Sequence, residues 1–187
     1  MLSAALFSAK TWDLYDVARQ TEGLLPCAFT QANIDLAPER LLGALLDPDV
    51  RVGTSTPKAD PAGDYAWALF RRAEALQAGA YATLDRKALQ LTGGPASPKP
   101  PPGRGAYAWV MDQGQADVFL TYYTNAVAAQ GEVQRLKRVA VPPNLQVFAD
   151  YGITVRRGAP PAAQAFADAL LTPSAQAVFA RYGFGSP

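Results

Sequence analysis

Asp60-Pro61-Ala62-Gly63-Asp64-Tyr65 follows a short apolar run, Val50-Arg51-Val52-Gly53, and opens a helical pattern. Asp60 suits an N-cap, and Pro61 suits the first helical position, where its missing N–H leaves nothing unsatisfied. A helix begun in this way turns free backbone N–H groups and the positive end of its dipole toward the preceding turn. That arrangement is chemistry for holding an anion. A second candidate of the same kind is Gly103-Arg104-Gly105-Ala106-Tyr107. A third element, Asp117 to Ala126, reads as a buried strand ending in the hydroxyls of Thr121, Tyr122, Tyr123 and Thr124. Donors of this neutral type grip a small oxyanion by geometry rather than by counter-charge.

Each of these has a plainer reading. Asp60-Pro61 is also simply a well-made helix start, and Gly103 also the end of a flexible loop. Tyr122 fits a core tyrosine with a satisfied hydroxyl, and Tyr123, facing the opposite side of the strand, could exchange roles with it. Arg104 reads more readily as a solvated helix start than as a clamp, so its backbone N–H is the better donor. Asp64 fits stabilisation of its own helix.

Composition narrows the classes. The chain has 187 residues, 49% of them hydrophobic and 18% charged, with a net charge of +1. That is enough for one large domain or two small lobes, and it carries no basic excess for a nucleic acid. No apolar run reaches the length of a membrane span. The first ten residues lack the basic start and the apolar length of a signal peptide, so the sequence as written points to the cytoplasm. The single cysteine, Cys27, allows no internal disulfide and fits a small buried hydrophobe. Histidine is absent, which removes Ser-His-Asp and Cys-His catalysis and the commonest transition-metal ligand. No acid–base pair is spaced for catalysis, so the chain reads as a binder rather than an enzyme, with no cofactor or metal required.

The elements that must position these donors alternate between strand and helix. Short strands are expected at Ala5–Ser8 and Leu24–Phe29, with helical turns between Trp12 and Arg19. A helix is expected over Pro38–Leu46, with Leu41, Leu42, Leu45 and Leu46 as its apolar stripe. Arg51–Thr54 predicts a strand. The helix from Pro61 runs to about Leu76, with Tyr65, Leu69, Ala73 and Leu76 on one face. Lys87–Thr92 predicts a strand, Gly93–Gly103 a loop, Arg104–Gln113 a short helix, Val118–Tyr122 a strand and Thr124–Gln130 a helix. Short strands follow at Arg138–Val141, Gln146–Phe148 and Gly152–Arg156, then helices over Pro160–Leu171 and Pro173–Tyr182. This alternation indicates an α/β fold with a largely parallel sheet.

Three segments, in order and at their spacing, resemble molybdate-binding solute receptors of bacterial ABC importers. The first is Val52-Gly53-Thr54-Ser55-Thr56-Pro57-Lys58-Ala59-Asp60-Pro61-Ala62-Gly63-Asp64-Tyr65, which resembles the start of their second lobe. The second is Phe119-Leu120-Thr121-Tyr122-Tyr123-Thr124-Asn125-Ala126, which resembles their strand and turn at the ligand. The third is the tail from Phe166 to Phe184. The resemblance implies a two-lobe periplasmic-binding-protein-like fold with mainly parallel sheets. The second lobe would span residues 51–150. Residues 1–50 and 151–187 would form a first lobe that is incomplete, because the family's longer N-terminal part, with its export signal and its serine or threonine anion contacts, has no match here. The resemblance further implies backbone donors near Ala62 or Gly63 and near Gly103 or Arg104, with the Tyr122 hydroxyl as a third donor. The ligand would be molybdate or tungstate, the partner an ABC-transporter membrane permease and the location periplasmic. A cytoplasmic ligand-sensing module, or one that has lost binding, is the alternative on the same fold.

Overall fold

The computed structural model describes residues 15–24, 26–30 and 36–185, the backbone alone for residues 15–29 and for Asp150. The expected strand at Ala5–Ser8 lies outside the described residues. The chain divides into two compact units. β1 (Tyr15–Leu24) and everything from Phe148 onward belong to one; the segment from β2 (Pro26–Thr30) to Val147 forms the other. The division therefore falls near residues 25 and 147, where the sequence suggests 51 and 150.

The larger unit contains a 3₁₀ turn (Pro38–Arg40), α1 (Leu41–Leu46), β3 (Val52–Ser55), α2 (Pro61–Leu76), α3 (Ala80–Lys87), β4 (Leu89–Thr92), α4 (Ala106–Asp112), β5 (Val118–Tyr122), α5 (Tyr123–Glu132) and β6 (Lys137–Ala140). Its five strands lie in the order β4-β3-β5-β2-β6. β3 pairs in parallel with β4 and with β5, while β2 runs antiparallel between β5 and β6. All strands but β2 thus point the same way, and the α/β, mainly parallel architecture stands for this unit.

Strand alternation sends side chains to two cores. Val118 and Leu120 of β5 join Leu41, Leu45, Leu69, Phe70 and Leu84 on the face covered by α1, α2 and α3. Phe119 joins Val110, Met111, Ala126 and Leu136 on the face covered by α4 and α5. β3 is buried along its whole length, as expected for a central strand covered on both faces. The buried stripe of α2 is Ala62, Ala66, Leu69, Phe70 and Ala73. It is rotated slightly from the expected one, and Leu76 is 47% exposed.

Helix α3 has no forecast in the sequence. Its N-cap, Gly79, lies in the left-handed region at φ 84° and makes no side-chain cap bond. The cap comes from Glu74 at the end of α2, whose carboxylate accepts from Gly79 N at 3.0 Å and Tyr81 N at 2.8 Å. These bonds hold the Glu74 carboxyl below its ordinary range. A cap borrowed from the preceding helix leaves no Ser, Thr, Asp or Asn at the boundary to signal a start.

In the smaller unit, β1 pairs antiparallel with β7 (Ala149–Arg156), Tyr15 opposite Arg156 and Leu24 opposite Ala149. The expected helical turns through Arg19 are therefore corrected to strand from Tyr15 on, because a partner strand overrides weak local periodicity. Gln146–Phe148 is likewise not a strand. The Pro142-Pro143 turn draws Leu145 and Gln146 back onto the Pro142 carbonyl. Two helices close the chain, α6 (Pro161–Leu170) and α7 (Pro173–Arg181). The Thr172 hydroxyl accepts from Ala175 N at the start of α7. No helix among the described residues is long and apolar enough to cross a membrane.

Candidate functional site

After β3 the chain crosses through α2 and α3 to β4 on one side, whereas β5 lies on the other side of β3. The carboxyl ends of β3 and β5 therefore flank a topological switch point, where open α/β sheets leave a crevice for ligands. Helix α2 begins after β3, and α5 begins directly after β5, so two helix N-termini open onto this end of the sheet.

At α2 the backbone donors are already engaged. Thr56 N donates to the Thr92 carbonyl at 2.9 Å, Ala59 N and Asp60 N to the Thr56 carbonyl, and Gly63 N to the Asp60 carbonyl at 2.9 Å. Lys58 N donates to Asp64 Oδ1 at 3.0 Å. Ala62 N donates to Asp60 Oδ1 at 2.9 Å. Pro57 and Pro61 have no N–H to offer. Every N–H from Thr56 to Gly63 thus has an acceptor within the chain, and the carboxylate of Asp60 sits where an external anion would meet the helix.

Close backbone packing holds this turn in place. A methyl group at Gly63 would lie 2.6 Å from Pro57 N and from the Thr56 carbonyl carbon. Gly93, at φ +75°, lies against Asp60, and Gly94 lies against the Thr56 side chain.

Behind Asp60 runs a chain of hydroxyls from the ends of β3 and β4. The Tyr107 hydroxyl donates to Asp60 Oδ2 at 3.2 Å. A phenol has one hydrogen, so Tyr107 accepts at its 3.0 Å contact with Ser55 Oγ. Ser55 in turn accepts from Thr92 Oγ1 at 2.8 Å. The proton order is therefore Thr92 to Ser55 to Tyr107 to Asp60. Burial pushes the Tyr107 phenol up; the Ser55 hydrogen bond opposes this, and the negative Asp60 adds to it. The phenol stays protonated and remains the donor. At the end of β5, Asn125 Nδ2 of α5 donates to Thr121 Oγ1 at 2.8 Å.

At the end of β5 the situation differs. Tyr122 is the N-cap of α5, with extended backbone and no side-chain cap bond. The first N–H groups of a helix have no partner within it, and the Tyr122 side chain does not cap them. The Tyr122 ring meets Tyr65 of α2 edge to face, 5.6 Å between centroids. Between α2 and the end of β5 lies a small cavity lined by Ala62, Tyr65, Leu69, Thr121, Tyr122 and Val147. Arg138 of β6 donates to the Tyr123 hydroxyl at 2.8 Å and stands 5.1 Å from the centre of that ring, which places a positive charge at the first side chain of α5.

The five residues singled out in the sequence separate into two groups. Ala62 and Tyr122 line the same cavity, with Gly63 beside them. Gly103 and Arg104 lie elsewhere. Helix α4 starts at Ala106, not at Arg104, and Arg104 N donates to the Pro101 carbonyl at 3.1 Å. The Arg104 guanidinium bonds Glu132 and Asp112, and Gly105 N donates to Glu132 at 2.8 Å. Glu132 is the last residue of α5 and Tyr122 precedes its first, a separation of roughly 14 Å along the helix. What α4 sends to the switch point is the side chain of Tyr107. The Arg104 bonds hold Glu132 and Asp112 below the ordinary carboxylate range, a structural tie between α4 and α5. Ser55, Tyr107 and Asn125 are polar groups that sequence reasoning does not single out as donors, whereas Thr121 is read among the hydroxyls that end its strand. Ser55, the last residue of β3, carries a local signal.

The chain matches the family described as bacterial extracellular solute-binding protein over residues 26–185. An uncharacterised protein of Pasteurella multocida (strain Pm70) is 44% identical over 87 residues, 46% of this chain and 36% of that protein. A sulfate-binding protein of Synechococcus elongatus is 33% identical over 79 residues, 40% of this chain and 23% of that protein. The match thus spans well under half the length of these curated relatives. Among solved structures, the sulfate-binding protein SubI from Mycobacterium tuberculosis H37Rv superposes with a TM-score of 0.70 at 21% identity, over 94% of this chain and 61% of that one. The substrate-binding domain of a putative molybdenum ABC transporter from Clostridium difficile gives 0.65 at 17% identity, over 95% and 68%. At these identities the superpositions speak for the shared fold.

Proposed function

We propose that this chain, which belongs to the bacterial extracellular solute-binding proteins, binds a small tetrahedral oxyanion at the switch point between β3 and β5, molybdate or tungstate being the ligand its sequence favours. The observation that carries this reading is the uncapped start of α5 beside the Thr121 and Tyr122 hydroxyls. A helix N-terminus and neutral hydroxyls attract an anion and fix its geometry without a mobile counter-charge. Arg138, at the first residue of α5, adds positive potential. Ala62 is a donor in this reading once the Asp60 carboxylate gives way, and Gly63 once its N–H also leaves the Asp60 backbone carbonyl. Gly103 and Arg104 belong to it only through the helix that brings Tyr107. The receptor would act outside the cytoplasm and hand its ligand to the membrane permease of an ABC importer, as a binding component rather than an enzyme.

Sulfate is the nearest competitor, since a curated relative is a sulfate-binding protein. The engaged N–H groups from Thr56 to Gly63 favour a different reading, a ligand-sensing or non-binding module on the same fold. Calorimetric titration of the purified protein with molybdate, tungstate and sulfate separates the three. Submicromolar heats for molybdate and tungstate with weak sulfate support the proposal, and the reverse order makes the protein a sulfate binder. No heat from a protein with a cooperative melting transition leaves the non-binding module.

A further inference from the structure

We infer that Asp60 is a specificity-determining residue, an internal anion that holds the N-terminus of α2 and limits how strongly the site takes a fully ionised oxyanion. The inference rests on the oxyanion reading above and names the residue that sets its charge selectivity. Asp60 engages both of its carboxylate oxygens: Oδ1 accepts from Ala62 N at 2.9 Å, and Oδ2 accepts from the Tyr107 hydroxyl at 3.2 Å. Its backbone carbonyl accepts from Gly63 N at 2.9 Å. An oxyanion arriving at α2 therefore meets a negative charge in the favourable part of the helix field and finds the Ala62 and Gly63 donors in use. The same carboxylate orients the hydroxyl chain. Because Tyr107 gives its only hydrogen to Asp60, Ser55 must direct its own toward Tyr107 instead of toward a ligand.

Two substitutions separate the charge from the cap. Asparagine caps a helix about as well as aspartate, and glycine only slightly less well than the polar caps. Asp60→Asn keeps an acceptor for Ala62 N and removes the charge; Asp60→Gly removes both and frees that N–H. A unit charge and a dianion roughly 8 Å apart in a water-like dielectric change a dissociation constant about five- to tenfold. Asp60→Asn is expected to tighten molybdate binding by that factor, and Asp60→Gly by more. The gain should shrink as salt rises from 10 mM to 150 mM or so, because the Debye length falls from about 30 to 8 Å. Melting temperatures read alongside establish that both variants are folded.

If the unaltered protein binds molybdate and folded Asp60→Asn and Asp60→Gly bind it equally or more weakly, Asp60 is a helix cap and the inference fails while the oxyanion reading stands. If neither the unaltered protein nor either variant binds molybdate, tungstate or sulfate, both fall. If only the variants bind, the carboxylate is the block and the inference stands in its strongest form.

Discussion

The hydroxyl of Tyr107 and the carboxylate of Asp60 meet at 3.2 Å across 47 residues of sequence. Through this one bond α4 is tied to the start of α2, and the Ser55 and Thr92 hydroxyls behind it take a single proton order. The contact makes Asp60 both a local cap and the anchor of a long-range network, and the two roles respond differently to substitution.

Asp60→Ala removes the acceptor for Ala62 N and the partner of Tyr107. It is expected to destabilise the protein by about 1–2 kcal/mol, a lost N-cap contributing most of that. Asp60→Asn should stay within about 0.5 kcal/mol of the unaltered protein. Urea denaturation of the two variants checks this, and equal losses in both would mean that the charge, not the cap, holds the turn.

Gly63→Ala sets a methyl group 2.6 Å from Pro57 N and the Thr56 carbonyl carbon and 2.7 Å from the Ser55 carbonyl oxygen. These are backbone atoms with no rotamer to yield, so the expected destabilisation is about 1–3 kcal/mol. A thermal melt reads it. Gly43→Ala is the control, since a methyl group there meets nothing within 4 Å and helix propensity favours alanine.

Arg51 holds Asp117 at the start of β5: its guanidinium reaches both carboxylate oxygens at 2.7 and 3.0 Å, and its backbone N donates at 2.8 Å. The hydrogen bond from the Arg51 side chain is the main cause of a carboxyl held below its ordinary range. A depressed folded-state value means that this contribution is complete above the unfolded pKa of about 3.9 and is lost as pH falls through the lower folded value. Acid unfolding followed by circular dichroism should therefore be less steep below about pH 4 in Asp117→Asn than in the unaltered protein. Unchanged steepness would assign the acid sensitivity to other carboxylates.

Tyr122 and Arg104 carry opposite expectations for binding. Tyr122→Phe removes a hydroxyl proposed to donate to a charged ligand and should weaken molybdate binding roughly 10- to 100-fold. The Arg104 guanidinium is engaged by Glu132 and Asp112, so Arg104→Gln should leave molybdate affinity unchanged. Paired calorimetric titrations test both, and a large loss in Arg104→Gln would return the start of α4 to the ligand.

The elements whose signals are local are those legible in the chain. Asp60-Pro61 sets the start of α2, and an apolar spacing of three and four carries the helix to Leu76. The Val118–Tyr122 strand reads from its unbroken apolar run because β5 is covered on both faces. Thr172-Pro173 opens α7 in the same way as Asp60-Pro61 opens α2. The α/β class follows from these signals alone, since side-chain periodicity and caps act over a few residues.

What required the tertiary structure is everything that depends on a partner distant in sequence. β1 is a strand because β7 lies beside it, and α3 begins where Glu74 reaches back to cap it. Within the candidate site, the sequence identifies Ala62 and Gly63 as donors but is silent on where their hydrogens go. Asp60 is visible as a cap and invisible as the acceptor for Tyr107. Gly103 and Arg104 have the composition of an anion-binding turn, yet Glu132 and Asp112 claim the arginine. Hydrogen-bond capacity is written in residue types, but its allocation depends on which groups the packed chain brings within about 3 Å, and that distance exists only after folding.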